Sequence, residues 1–422
     1  MTEKTFNCIA TAASGLEALV GKELRDLGIE CEVENGRARF KGTMETIATA
    51  NLWLRTADRI KIVVGEFDVL TFDQLFEEVK ALPWEDFLPL DAEFPVAGKS
   101  IKSKLYSVPD CQAITKKAIV NRLREVYHRP ASVPLTETGA FFQLEVALLK
   151  DHAMITLDTT GPSLFKRGYR LEKGGAPLKE NMAAALVMLT NWYKDKPFVD
   201  PVCGSGTLCI EAALIGHNIA PGFNREFVCE TWDWFPAEVF EKVRKEADEA
   251  ADYDVELDIT GSDINGRMIE IARRNAEEIG LGDSITFKQQ AVKDFKTEKE
   301  YGVVVANPPY GERLGEEESV QRLYQEMGQV FRPLKTWSKY FLTSDLTFET
   351  HYGEKRQKNA NYTTVRFVPI SSNTGDNVRH AKRSLLNERT RISERIKRNR
   401  SITTSNGDLR LGQSNGDARK SQ

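Results

Sequence analysis

The sequence predicts an α/β protein in which an α+β amino-terminal region precedes an open, doubly wound parallel sheet. Three observations carry this expectation. Residues 5–65 follow a β-α-β-β-α-β order, and residues 70–160 continue to alternate extended runs with amphipathic helices. Beyond the long helix expected at residues 182–192, the pattern becomes strand–helix–strand, as in a doubly wound sheet. Two of the later apolar runs, Phe198-Val199-Asp200 and Val303-Val304-Val305-Ala306, open directly into sharp turns, the first glycine-rich and the second a double proline.

Composition limits the function classes. At 422 residues, the chain can fold two or three domains, each with its own core. Its 41% hydrophobic and 28% charged content is that of a water-soluble globular protein. No apolar run approaches the ~20 residues that span a bilayer, and Met1-Thr2-Glu3-Lys4 lacks the apolar core of a signal peptide. Cysteines 8, 31, 111, 203, 209 and 229 are scattered without a C-x-x-C pair, and the five histidines do not join them. Reduced thiols in a cytoplasmic protein, with neither disulfides nor a metal, are expected. The net charge of −4 conceals an uneven distribution. Basic residues gather at 99–129, at 166–170 and from 379 onward, while acids concentrate at 232–256, so a basic face is compatible with an acidic total.

The first unit reads in order. Residues 6–10 suit a strand, and residues 15–24 carry apolar positions at helical spacing. Extended runs 31–34 and 37–40 flank Asn35-Gly36, a tight-hairpin signal. Helix 44–54 and strand 59–67 complete the split βαβ order. In the second unit, residues 72–81 read as helix, 94–99 as strand and 112–127 as a helix. That last helix has Ile114, Ile119, Leu123 and Val126 on one stripe and Lys116, Lys117, Arg122 and Arg124 elsewhere. Residues 141–149 and 152–157 pair across Lys150-Asp151. Lys99 to Lys104, with the basic helix, offers charge and hydroxyls to phosphate, although a solvated helix face reads the same way. This segment resembles the THUMP module of RNA-modifying enzymes, in Lys102-Ser103-Lys104-Leu105 and in Gln112 to Val120. Structured RNA is the partner that the resemblance implies.

A basic bridge, Leu164-Phe165-Lys166-Arg167-Gly168-Tyr169-Arg170, leads to Ala176-Pro177-Leu178-Lys179-Glu180-Asn181 and helix 182–192, with Pro177 as a start signal. Strand 198–200 then ends at Asp200 and enters Pro201-Val202-Cys203-Gly204-Ser205-Gly206-Thr207 ahead of helix 208–215. Gly204 and Gly206 permit a ligand to approach the backbone at a helix N-terminus. The spacing is not that of a P-loop, and the third glycine of a dinucleotide fingerprint is missing. Asp200 supplies a carboxylate where an amino-acid ammonium could sit. An insertion at 217–255 holds Trp232 and Trp234, aromatics suited to packing or to base stacking. Strand 256–264 ends in Asp263, placed either to accept a ribose diol or to cap helix 266–279, with Ile264 beside it to flank a planar base. Strand 284–290 and a turn through Ala291 follow, then the 303–306 strand, helix 320–334, strand 339–343 and a hairpin-like pair at 355–357 and 363–369.

Asn307-Pro308-Pro309-Tyr310 follows the 303–306 strand. Two prolines fix φ and remove two donors, so the chain leaves the sheet in one rigid shape. Acceptors at Asn307 and the Pro308 carbonyl, beside the Tyr310 ring, suit the exocyclic amino group of a planar base; a plain turn closing a strand is the competing reading. Taken together, the glycine-rich turn, the strand-ending acid and this motif resemble a class I S-adenosylmethionine methyltransferase acting on amino groups. Over residues 1–370, the chain is similar to the THUMP-bearing bacterial 23S rRNA guanine-N2 methyltransferases, the RlmL/YpsC-like group. The similarity rests on Lys166 to Arg170, Ala176 to Glu180, Asp200 to Thr207, Asn218-Ile219-Ala220-Pro221-Gly222 and Asn307 to Leu314.

That resemblance implies a ferredoxin-like subdomain at 1–69, a THUMP domain at 70–163 and a Rossmann-like methyltransferase domain at 164–370. Asp200, Gly204, Ser205, Gly206 and Thr207 would hold the methionine part of S-adenosylmethionine, with Pro201 and Cys203 also in the cofactor site. Asp263 would hold the ribose, and Ile264, Gln290, Ala291 and Asn307 would complete the cofactor site. Such enzymes usually carry an Asp after the third strand to meet the adenine amino group; here Gln290 and Ala291 stand there. Asn307, Pro308 and Tyr310 would be catalytic, the first two orienting the guanine amino group and Tyr310 stacking on a flipped base. Residues 371–422, linker-like and then arginine-rich, read as a disordered tail or a basic RNA arm. The alternatives are a tRNA guanine-N2 or DNA adenine-N6 methyltransferase, or a non-catalytic RNA-binding assembly factor.

Overall fold

The structure is a computed structural model that describes residues 4–170, 178–309, 317–353 and 362–365. Its first sheet is assembled from β1 (Phe6–Ala12), α1 (Glu17–Asp26), β2 (Cys31–Glu34), β3 (Arg37–Gly42), α2 (Met44–Trp53) and β4 (Ala57–Asp68). It continues through α3 (Phe72–Ala81), β5 (Val96–Ile101), α4 (Val108–Val126), β6 (Leu144–Leu149) and β7 (His152–Asp158). The strand order is β2-β3-β1-β4-β7-β6-β5, so the two α+β units share one sheet through the antiparallel β4–β7 pair. Local chemistry sets the corners. Gly36 turns with φ +77°, and Lys150 and Asp151 both take positive φ in the two-residue β6–β7 turn. Thr43 and Thr46 cap α2 reciprocally through their hydroxyls.

Alternation along the strands gives this sheet one buried face. Cys8, Ala10, Ile60, Ile62, Val146, Ile155 and Leu157 belong to the core, together with buried residues of α1 to α4. The opposite face carries charges paired across strands: Lys61 reaches Glu145 at 3.0 Å, Arg39 reaches Glu66 at 2.7 Å, and Arg59 pairs with Asp158. The structure adds partners for the basic helix. Lys116 bonds Glu137 at 2.7 Å and Arg122 grips both Glu85 oxygens, so these two cations are spent on acidic partners at the surface. The serines are spent as well, since Ser100 donates to the Leu105 carbonyl and Ser103 accepts from the Asp151 amide. Between Lys99 and Tyr106, the exposed residues are Lys99, Ile101, Lys102, Lys104 and Tyr106.

The second sheet is built from α5 (Glu180–Met188), β8 (Phe198–Asp200), α6 (Thr207–Gly216), α7 (Ala237–Ala250), β9 (Ile259–Asp263), α8 (Gly266–Glu278) and β10 (Thr286–Gln289). It closes with β11 (Val303–Ala306), α9 (Glu317–Phe331), β12 (Ser338–Leu342), α10 (Phe348–Tyr352) and β13 (Tyr362–Val365). The order is β10-β9-β8-β11-β12-β13, and each described pair is parallel. Chain order therefore reverses between β8 and β11, and the carboxyl ends of these two strands border the crevice where such sheets bind ligands.

One expectation needs correction. The helix expected to reach Trp192 stops at Met188, because Thr190 donates to the Val187 carbonyl and accepts from the Trp192 amide, diverting the backbone. Of the expected hairpin-like pair, residues 355–357 lie outside the described residues, and the start of the other arm is β13, which pairs in parallel with β12. The short α10 was not expected. The tail at 371–422 and Pro177 also lie outside the described residues.

The insertion packs, as one of its two readings had it. Trp232 stacks on Phe142 at 4.9 Å and its indole N–H donates to the Phe141 carbonyl at 3.0 Å, while Trp234 donates to the Phe87 carbonyl. Trp232 is 1% exposed. Trp232→Ala should therefore cost about 3–5 kcal/mol by leaving a cavity and an unpaired carbonyl. A clearly lowered urea midpoint, with activity assayed at low denaturant, is the expected result.

Candidate cofactor and active site

Parallel register brings the predicted residues to one edge. Asp200 lies opposite Gly261, so β8 ends beside β9, and Gln289 lies opposite Asp263. Val303 and Val304 lie opposite Phe198 and Val199, which carries Asn307 past the end of the same sheet.

The turn after β8 is closed by a network of backbone bonds. The Cys203 amide donates to the Ser262 carbonyl at 2.8 Å and the Gly206 amide to the Cys203 carbonyl at 2.8 Å. The Gly204 amide donates to Asp263 Oδ2 at 3.0 Å, and the Asn265 amide to Oδ1 at 2.8 Å. Asn275 in α8 holds the Ser205 carbonyl at 3.1 Å. Both glycines are required by geometry. Gly204 (φ +51°) and Gly206 (φ +83°) occupy the left-handed region. A Cβ on Gly206 would also come within 2.9 Å of Phe287, whereas one on Gly204 would meet nothing nearer than Met268 at 4.0 Å. The backbone at Gly204 is thus open to a close-lying ligand, and Gly206 caps α6, whose free amides begin there.

The two acids differ in environment. Asp200 is 2% exposed and accepts from the Val202 amide at 3.2 Å. Burial, with a smaller push from the charge of Asp263, raises its carboxyl to about 8. A buried carboxyl with so little hydrogen bonding is suited to a cationic partner. Asp263 is not the α8 cap: Asn265 accepts from the Arg267 amide and fills that role. Each Asp263 oxygen takes one amide and keeps a lone pair for a hydroxyl donor. Ile264, beside it, is 73% exposed, an apolar side chain at the crevice mouth. These features fit the methionine, ribose and adenine parts of S-adenosylmethionine.

The adenine end is less complete. The Gln290 side chain donates to the Asp294 carbonyl at 2.9 Å, within its own turn, and Ala291 has no polar side-chain atom. Cys203 is buried, and burial holds its thiol well above the ordinary range, in keeping with packing rather than reactivity. All six cysteines are free thiols.

On the other side of the crevice, Asn307 is half-buried, Pro308 buried and Pro309 exposed. Tyr324 of α9 donates to the Pro309 carbonyl at 2.8 Å, anchoring the exit from β11. Tyr310 lies outside the described residues. Three supporting residues gave no clear signal in the sequence. Tyr324 sits on the same helical stripe as Val320, Met327 and Phe331 and reads as core. Asn275 is one polar residue in a charged helix. Arg170 belongs to the basic bridge but carries nothing there that singles it out, and it donates to Thr207 Oγ1 at 3.0 Å.

No helix among the described residues is long and apolar enough to cross a membrane, and no cluster of metal-ligating side chains is found among them. Three family descriptions match in succession: an RlmL ferredoxin-like domain at residues 7–61, a THUMP domain at 70–158 and an RMKL-like methyltransferase domain at 167–374. The chain is 58% identical to the putative RNA methyltransferase YpsC of Bacillus subtilis, over 84% of this chain and 92% of the relative. A crystal structure described as a predicted N6-adenine-specific DNA methylase from Listeria monocytogenes is 64% identical with TM-score 0.82, covering 84% of this chain and 93% of that one. The structure of SMU.472, a putative methyltransferase complexed with SAH, is 61% identical with TM-score 0.81, covering 85% and 94%. The chain spans about half the length of the ribosomal RNA large subunit methyltransferase K/L of Syntrophotalea carbinolica, at 34% identity over 50% of that protein. The chain therefore belongs to the YpsC-type methyltransferase family, in which RlmL ferredoxin-like and THUMP domains precede an RMKL-like methyltransferase domain.

Proposed function

We propose that this chain is a cytoplasmic, S-adenosylmethionine-dependent RNA methyltransferase that modifies the exocyclic N2 of a guanine in 23S rRNA, free or in an assembling large subunit. The observation that carries the reading is the convergence of Asp200, the Gly204–Thr207 turn, Asp263 and Asn307-Pro308 at the carboxyl ends of β8, β9 and β11. The SAH complex of a 61% identical protein supports the cofactor, and the THUMP match and the K/L relatives support RNA of the large subunit. We assign residues 1–69, 70–163, 164–370 and 371–422 to the ferredoxin-like, THUMP, methyltransferase and tail regions.

The cofactor supplies a methyl group already activated on a sulfonium, so the protein's task is mainly positioning. Asp200 takes the ammonium of the methionine part, the Gly204–Thr207 turn admits its backbone, and Asp263 accepts from the ribose hydroxyls. Asn307 and the Pro308 carbonyl accept from the guanine amino group and turn its lone pair toward the methyl. Tyr310 stacks on the base, which must leave its helix to reach the site.

The pH dependence follows from Asp200. Its folded value of about 8 lies above the ordinary 3.8, so its stabilising contribution is full below about 4 and is lost as the pH rises through 8. Binding an ammonium draws on the ionised fraction, which grows with pH. SAH affinity should rise by up to about tenfold per pH unit between pH 6 and 8, then level off. In Asp200→Asn it should be weak and flat in calorimetric titrations. A pH-independent wild-type affinity would count against the assignment of Asp200.

Nucleoside mass spectrometry of rRNA and tRNA from cells with and without the gene tests the reaction itself. Loss of N2-methylguanosine from one large-subunit site, restored by wild type and by less than a hundredth as much with Asn307→Ala, is expected (about 3 kcal/mol of barrier). Loss confined to tRNA would move the substrate, and unchanged nucleosides would refute RNA methylation.

A further inference from the structure

The bridge between the two sheets grips one face of α6. Glu211 is wholly buried; its carboxylate receives the Tyr169 hydroxyl at 3.1 Å and Arg167 Nε at 3.4 Å. Arg167 also donates to the Arg55 carbonyl, ahead of β4, and so ties the amino-terminal sheet to this helix. One turn nearer the start of α6, Arg170 Nη2 donates to Thr207 Oγ1 at 3.0 Å and to the Leu178 carbonyl at 2.9 Å. Thr207 and Glu211 are four residues apart and share a helix face, so the bridge fixes the rotation of α6 at the two points that matter.

The bond to Thr207 has a chemical consequence. Arginine only donates, so the Thr207 oxygen is the acceptor and its own proton must point elsewhere. Within the protein, the nearby choice is Ser205 Oγ at 3.4 Å, a long contact. The hydroxyl is therefore held ready to donate at the mouth of α6, where free amides and a guanidinium add positive potential. The two site acids, Asp200 and Asp263, supply anions only. The carboxylate of the cofactor's amino-acid end needs donors and positive charge, and this corner provides both.

We propose that Arg170 is a positioning residue that acts through Thr207, committing its hydroxyl as a donor to the carboxylate of the bound amino-acid moiety. The proposal rests on the cofactor reading above. Arg170 has further reason to be held in place: its Nε lies 3.6 Å from Glu180 Oε1, and neither Nε nor Glu180 Oε2 has a hydrogen bond among the described residues.

Calorimetric titration with two ligands provides the test: SAH, and 5′-methylthioadenosine, which lacks the amino-acid end. Arg170→Met and Thr207→Val should each weaken SAH about tenfold and leave methylthioadenosine within about twofold, because only a charge-assisted contact is lost. The double variant should be no weaker than the worse single one, since both act through one hydroxyl, and Thr207→Ser should restore wild-type binding. Thr207→Val leaves the hydrogen bond of Arg170 to the Leu178 carbonyl and its ion pair with Glu180 in place, so it carries the test if Arg170→Met does not fold. Unchanged SAH affinity, or equal loss for both ligands, would overturn the proposal. Asp263→Asn serves as the control for the site: if it alters neither ligand, the cofactor reading itself fails, which is distinct from a failure confined to Arg170 and Thr207.

Discussion

The bond from the Gly204 amide to the Asp263 carboxylate is the constraint on which the rest of the site depends. It ties the turn after β8 to the end of β9, and it is possible only because Gly204 sits at φ +51° and the two strands are parallel neighbours. The same carboxylate holds the Asn265 amide, which starts α8, and α8 in turn holds Ser205 through Asn275. One acid thus organises two helix N-termini around a single opening. Asp200 is left buried with one amide donor, and burial drives its carboxyl up to about 8. A structure optimised only for stability would not keep such a group there; a cationic ligand makes it favourable.

Coupling between the halves of the chain is also built from buried polar contacts. Arg167 lies between the Arg55 carbonyl and Glu211, and Arg55 itself reaches the Ile219 carbonyl beyond α6. Removing one partner of such a network leaves an uncompensated buried charge, which makes it costly to rearrange piecemeal. The aromatic insertion adds a second bridge through Trp232 and Trp234, whose indoles are hydrogen-bonded to carbonyls of the first sheet region. The two sheets are therefore tied together by buried polar and aromatic contacts.

Much of this was legible in the sequence, for physical reasons. Apolar runs such as Val303-Val304-Val305-Ala306 are buried on both faces and betray a central parallel strand, and Gly206 betrays the one backbone shape that can cap α6 closely. Charge was harder to read. Lys116 and Arg122 looked like RNA ligands because sequence shows a cation but not the glutamate that folding brings to it. The early end of α5 depended on the Thr190 hydroxyl competing for backbone, a choice that periodicity does not register. Arg170 and Tyr324 act through single long-range hydrogen bonds to Thr207 and Pro309, and no local pattern announces those.

The central claim is that the crevice between β8 and β11 transfers methyl groups to an amino group on RNA. Its most direct measurement is transfer of labelled methyl from S-adenosylmethionine by the purified full-length chain to deproteinised 23S rRNA, bulk tRNA, immature large-subunit particles and double-stranded DNA in parallel. Label recovered as N2-methylguanosine from large-subunit RNA or its particles, and absent from DNA, is the predicted result. Label recovered as N6-methyladenine from DNA, or no label in any RNA, would contradict it.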